Sequence, residues 1–162
     1  MKDDVVKNID TLVFGDMKND YINLLEQIIE IEKECFSDPW SLDSFIYEHE
    51  NPYSYNLIFT EDFLGNHKVV GYIYTHFILD EVYINNFAVI QKCRKKGIGG
   101  ILLKEIIKKA REENYIHITL EARESNENAI NFYKNNGFVN IGIRRNLYSN
   151  PTENGVIMKL TL

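Results

Sequence analysis

The sequence predicts a mixed α/β fold: one sheet with helices on its faces, in the order β-α-α-β-β-β-α-β-α-β-β. Three observations lead there. Short runs rich in Val, Ile, Tyr, Phe and Thr recur between turn residues, as strands do. Two longer stretches, from Asn19 and from Ile98, repeat apolar residues every three or four positions, as amphipathic helices do. No repeat, low-complexity tract or Pro/Gly/Ser linker interrupts the 162 residues, so 1–162 reads as one domain.

The elements follow in order. Thr11–Phe14 reads as a short strand ending at Gly15. From Asn19, the series Ile22, Leu25, Ile28/Ile29, Glu32, Phe36 gives a helix with one apolar face, broken by Asp38-Pro39. Ser41 suits the N-cap of a second, short helix reaching Glu48. Tyr55–Thr60 and Lys68–Leu79 are strands around a turn containing Gly65-Asn66; Asp80-Glu81 marks another turn, and Val82–Ile90 is the next strand. A basic, glycine-containing loop, Gln91–Gly100, leads into a helix ending near Glu113. Ile98, Ile101/Leu102, Ile106 and Ala110 lie on one side of it, widened by Leu103 and Ile107. His117–Ala122 is a strand and Asn126–Asn135 a helix closed near Gly137. Val139–Tyr148 and Val156–Leu160 are the last strands.

Composition narrows the function classes. With 44% hydrophobic and 26% charged residues, 9 Gly and 3 Pro, the chain is an ordinary packed one. The longest apolar run, Val69 to Tyr74, falls far short of the ~20 residues that cross a bilayer, and the N-terminus lacks the basic-then-apolar pattern of a secretory signal. Cys35 and Cys93 form no CxxC pair, and His49, His67, His76 and His117 have no ligand spacing. The expectation is therefore a cytoplasmic protein without a metal. The formal net charge of −6 argues against a nucleic-acid coat. Residues 1–50 carry 13 acidic and 4 basic side chains, a net −9, while residues 51–162 carry +3, concentrated from Lys92 to Arg111. Such charge can be a solvated face, or can attract a cationic partner to one half and an anionic ligand to the other.

The densest signal is Arg94-Lys95-Lys96-Gly97-Ile98-Gly99-Gly100, between a strand and a helix. Glycines let the backbone turn tightly, and the first free N–H groups of a helix, with its dipole and adjacent cations, can hold a pyrophosphate. A glycine-rich turn with solvated lysines is the simpler alternative. A Walker A loop would end in Gly-Lys-Ser/Thr, and a dinucleotide fingerprint would have glycine at Leu102; neither is present.

The segment R-x-x-G-x-G, preceded by Asn85-Asn86-Phe87-Ala88-Val89, resembles the acetyl-coenzyme A pyrophosphate motif of the GNAT superfamily of N-acetyltransferases. Leu120–Ile130, Phe132-Tyr133 and Asn136-Gly137-Phe138 resemble the second half of the same fold. Pro39-Trp40-Ser41, Leu79-Asp80-Glu81, Leu-Glu-x-Arg-x-Ser-Asn and Ile143-Arg144-Arg145-Asn146-x-Tyr148 are similar to its bacterial ribosomal-protein-alanine branch. The resemblance spans roughly Ile31 to Leu160. It implies a mostly antiparallel GNAT sheet with helices on both faces. It also implies acetyl-CoA as co-substrate, held by Arg94, Lys95, Lys96, Gly97, Ile98, Gly99 and Gly100, and the N-terminal alanine of a small-subunit ribosomal protein as acceptor. Phe87, Ala88 and Val89 would lie where the family's strand splays and its N–H groups bind the acetyl carbonyl and the pantetheine, as an oxyanion hole would.

Acetyl transfer to an amine needs a neutral nitrogen and a proton for the departing thiolate. An α-amine of pKa ~8 is roughly one-tenth neutral at pH 7, whereas a lysine near 10.4 is neutral about four times in ten thousand. One carboxylate could assist an α-amine. Glu121 stands in an otherwise apolar strand; it can be such a base or a strand-end carboxylate paired with Arg123 or another cation, and the resemblance implies the base. Tyr133 can be a core aromatic beside Phe132 or a phenolic acid, and the resemblance implies the acid. Asn126 caps a helix by default, and the resemblance adds a pantetheine contact. Gly100 departs from the branch, which more often carries Arg or Lys there. Cys93 reads as a passive surface thiol, since this chemistry needs no protein nucleophile. Trp40 and Tyr148 can line a peptide groove or simply pack. Acetylation of a lysine side chain, polyamine, antibiotic or other small amine, and a non-catalytic acyl-CoA sensor, remain as alternatives.

Overall fold

The computed structural model describes residues 5–8, 18–63 and 66–162. Among these, the element types follow the expected order: β1 (Val5–Asn8), α1 (Lys18–Cys35), α2 (Leu42–Glu50), β2 (Ser54–Phe63), β3 (Asn66–Ile78), β4 (Glu81–Val89), α3 (Ile98–Glu112), β5 (His117–Arg123), α4 (Glu127–Asn135), β6 (Val139–Ser149) and β7 (Thr152–Thr161). The strands form one mostly antiparallel sheet in the order β1-β2-β3-β4-β5-β7-β6, in which β4 and β5 pair parallel. The described residues within 1–75 and 86–105 group into one compact unit, and those within 76–85 and 106–162 into a second.

The differences from expectation have physical causes. The strand expected at Thr11–Phe14 lies outside the described residues, as does Gly65 of the expected turn; the first described strand is Val5–Asn8, antiparallel to Leu57–Thr60 of β2. The last strand begins at Thr152 rather than Val156, because Tyr148 and Ser149 of β6 already pair with Glu153 and Thr152. In α3, Ile98, Leu102, Leu103, Ile106 and Ala110 are buried, but Ile101, expected on the same side, is 42% exposed. Its Cβ points 100° away from that of Leu102, and the stripe is narrower than the composition suggested.

In the first unit, α1 buries Leu25, Ile28, Ile31 and Glu32. Glu32 is the exception on that face, 1% exposed, and its burial is explained by its partners. The Tyr72 hydroxyl of β3 donates to Oε2; Asn86 Nδ2 of β4 lies 3.1 Å from each oxygen; the backbone N–H of Trp40 donates to Oε1 at 2.9 Å. A carboxylate can leave water only where donors replace its hydration. Phe45 of α2 packs in the same layer, its ring 5.4 Å from Trp40 and 6.1 Å from Tyr72. Ser41 caps α2 as expected, accepting from the Ser44 N–H at 3.2 Å. His49 pairs with the Tyr74 hydroxyl at 2.9 Å.

In the second unit, β5 is antiparallel to β7 from His117↔Thr161 to Arg123↔Gly155, and β7 to β6. Buried Ile118, Leu120, Val156 and Met158 form its centre with Tyr133 and Phe138. Gly137 ends α4 at φ +90°, a left-handed turn that glycine enters without steric cost.

Replacing Glu32 by Ala should strand three donors at once and cost about 3 kcal/mol, roughly 6–12 °C of melting temperature for a chain of this size. Urea and thermal unfolding measure it; a loss within 1 °C would show that the carboxylate is not what joins α1, β3 and β4.

Candidate active site

The parallel register of β4 and β5 runs from Glu81↔His117 to Ile84↔Leu120. Alternation then puts Glu81, Tyr83 and Asn85 on one face together with His117, Thr119 and Glu121. Two side-chain bonds confirm the alignment: Thr119 Oγ1 donates to Glu81, and the Tyr83 hydroxyl donates to Glu121 Oε2 at 2.9 Å. The other oxygen of Glu121 meets Arg144 of β6 at 3.3 Å. The Glu121 side chain is 15% exposed, whereas that of Arg144 is 63% exposed, so the guanidinium can swing into solvent while the carboxylate stays. Of the cations that could pair with Glu121, the partner is Arg144 and not Arg123. Burial, then the neighbouring Glu121 charge, pushes the Tyr83 phenol well above its ordinary range, which keeps it a donor.

Arg123 instead fastens the β6–β7 hairpin. Its guanidinium donates to the carbonyls of Asn150 and Pro151 at 3.0 and 3.2 Å, meets Glu153 at 3.3 Å and lies 4.3 Å over the Tyr148 ring. Planar geometry with five donors suits arginine to this combination. The Ser125 hydroxyl, and then the Ser125 N–H, bond Glu153 and hold its carboxyl below the usual range. Tyr148, half-buried, is raised first by burial and then by the charge of Glu121.

Tyr133 of α4 is 7% exposed, with the rings of Phe132 and Phe138 at 5.2 and 5.4 Å. Burial pushes its phenol well up, so that it carries a proton through the neutral range. Asn126 caps α4, its Oδ1 accepting from the Ala129 N–H at 3.1 Å.

The loop after β4 belongs to the first unit. Arg94 Nε donates to the Val89 carbonyl at 2.9 Å, and its Nη2 reaches Cys35 Sγ at 3.3 Å. The Gln91 N–H donates to Glu34 at 2.8 Å. These contacts fix the strand end, leaving Lys95 and Lys96 on the exposed turn. Lys95 at φ +61° and Gly97 at φ +86° enter the left-handed region twice in three residues, a pattern that gathers amides into an anion-binding concavity. The first turn of α3 has no acidic residue, so its positive dipole end is not neutralised locally. Ile98 is buried; what it can offer a ligand is its backbone N–H. Phe87 and Val89 are half-buried and Ala88 buried.

Cys93 corrects its expectation. It is 3% exposed rather than a surface thiol, with Glu61 Oε1 and Lys96 Nζ each 3.8 Å from its sulfur. Its position in the 3-10 turn Gln91–Cys93, which opens the loop, buries it. Nothing local marks Tyr83 in the sequence, where it is one tyrosine among ten.

The β4–β5 pair carries a hydrogen-bonded carboxylate at Glu121, and separately a cationic turn opens α3. The GNAT acetyltransferase family model matches residues 25–138, and the chain belongs to that family. It is similar to the [ribosomal protein bS18]-alanine N-acetyltransferase of Haemophilus influenzae, 32% identical over 136 residues that cover 82% of this chain and 89% of that one. A Bacillus subtilis relative, provisionally named for the same activity, is 31% identical over 147 residues, 90% of this chain and 95% of its own. The crystal structure of the ribosomal-protein-S18-alanine N-acetyltransferase from Escherichia coli superposes with TM-score 0.79 at 26% identity, covering 99% of this chain and 94% of that one.

Replacing Arg123 by Lys keeps the charge and loses the fork and the stacked plane. Amide hydrogen exchange across 150–155 should quicken at least tenfold while that of α3 stays unchanged; equal protection in both proteins would remove the fastening role.

Proposed function

We propose that this acetyltransferase moves an acetyl group from acetyl-CoA to a protein N-terminal α-amine, with the N-terminal alanine of a small-subunit ribosomal protein as acceptor, in the cytoplasm. The observation that carries the reading is the bonded Glu121: a half-buried carboxylate on the Tyr83–Asn85 face, matched to a task in which one modest base suffices. The names of the relatives supply the acceptor class, and the net −9 of residues 1–50 favours a basic tail.

Acetyl-CoA supplies the activated thioester. The amides of Lys95 to Gly100 and the N-terminus of α3 fit its pyrophosphate, with Lys95 and Lys96 adding charge and Arg94 holding the turn. Phe87, Ala88 and Val89 would offer backbone donors to the acetyl carbonyl and the pantetheine, and Asn126 its free amide nitrogen to that arm. Glu121 takes the proton that the amine loses as nitrogen bonds the acetyl carbon. Tyr133 gives its proton to sulfur as the carbon–sulfur bond breaks. No covalent enzyme intermediate is required.

The deciding assay is CoA release with an alanine-initiated basic peptide beside a lysine-containing peptide blocked at its N-terminus and a polyamine, with mass spectrometry locating the acetyl group. Acetylation of the blocked peptide alone would overturn the α-amine reading, and tight CoA binding without any transfer would favour a sensor. Glu121→Gln should lower kcat about 100- to 1000-fold with the KM for acetyl-CoA unchanged; equal activity at neutral pH would remove the base. An ideal Cβ on Gly100 meets nothing within 4 Å. Gly100→Arg should therefore fit and add a cation to the first turn of α3, lowering the KM for acetyl-CoA about three- to tenfold at low salt and less in 0.5 M NaCl. A KM that does not move would show that no phosphate passes that turn.

A further inference from the structure

Among the described residues, Asn85 Nδ2 is a buried side-chain nitrogen with no hydrogen-bond partner. Its neighbour in sequence, Asn86, is fully engaged with Glu32, so the two adjacent asparagines have opposite fates. β4 alternates half-buried and buried residues along its length, which places Asn85 on the face of Tyr83. The β4–β5 register ends at Ile84↔Leu120, and Asn85 and Glu121 are the next residue on each strand. An amide donor that has given up its hydration is seldom left unpaired in a native fold unless something else completes it.

We propose that Asn85 forms a subsite for an amide carbonyl oxygen, that of the acceptor's first residue, and so selects α-amines of peptides over other primary amines. The inference rests on the α-amine reading above and names how that choice is made. The last paired residues, Ile84 and Leu120, lie about 4.8 Å apart, and Asn85 and Glu121 follow them on the same face. An amine presented to Glu121 thus brings its own carbonyl oxygen toward Asn85 Nδ2. A lysine side chain or a polyamine carries a methylene at that position, which leaves the donor dry and unpaired. A site built to bond a group discriminates strongly against substrates that lack it.

The test uses the full-length protein, an alanine-initiated peptide, and the same peptide with a trans-alkene replacing its first amide bond. The wild type should favour the amide peptide about tenfold in kcat/KM, the size of one well-made hydrogen bond to a buried donor. Asn85→Leu and Asn85→Ala should erase that preference and leave the KM for acetyl-CoA within about twofold. An unchanged preference in the variants overturns the proposal. So does a rise in the KM for acetyl-CoA with the peptide kcat/KM intact, which would assign the amide to a carbonyl of the pantetheine arm. Should both variants fail to fold, the wild-type comparison decides alone, and equal rates on the two peptides overturn the subsite. A wild type that acetylates the amide peptide yet shows no Asn85 dependence retains the α-amine reading and loses only this inference, whereas acetylation of no α-amine overturns both.

Discussion

Four residue pairs of parallel ladder fix where Glu121 stands in the sheet. Glu81–Ile84 pairs with His117–Leu120, and β5 then goes on pairing with β7 as far as Arg123↔Gly155. β5 therefore stays anchored on one side where its ladder with β4 has stopped, and Glu121 sits at that step. Its carboxylate is held there by one phenol and one largely exposed guanidinium. The backbone decides where a reactive group can stand, and the side chains only tune it.

A second carboxylate illustrates the opposite use of charge. Glu32 is wrapped by a hydroxyl, a carboxamide and a backbone N–H, all neutral, and becomes an internal fastener. Satisfied polar clusters of this kind specify one arrangement of elements, because any slip of α1 against β3 and β4 would break several bonds together. Glu121 and Glu32 differ in what surrounds them, which sets one aside for structure and leaves the other within reach of solvent.

Much of this was legible in the sequence. The order of elements, the Ser41 cap and the closure of α4 at Gly137 follow from local rules that depend on residues a few positions apart. The GNAT family was readable because the loop and the Leu120–Phe138 segment carry its residues in unbroken order. What escaped depends on tertiary placement. Ile101 was assigned to the buried stripe because periodicity gives the angle of a side chain but not the width of the surface it meets. Cys93 was taken for a surface thiol because its flanking cations suggested solvent, while a 3-10 turn rotates it inward. Tyr83 and Arg144 became partners of Glu121 only through the pairing of strands distant in sequence. The buried helical Glu32 fitted the apolar periodicity, but nothing local named Tyr72 and Asn86 as its donors.

The grip of Arg123 on the β6–β7 hairpin has a mechanical corollary. Its contacts include two carbonyl dipoles and a ring face beside the counter-ion Glu153. Mobile ions weaken attraction between full charges far more than they weaken aligned dipoles or stacked planes. A clasp built this way keeps most of its hold in brine, and the tip of the hairpin behaves as a stiff rim rather than a flap.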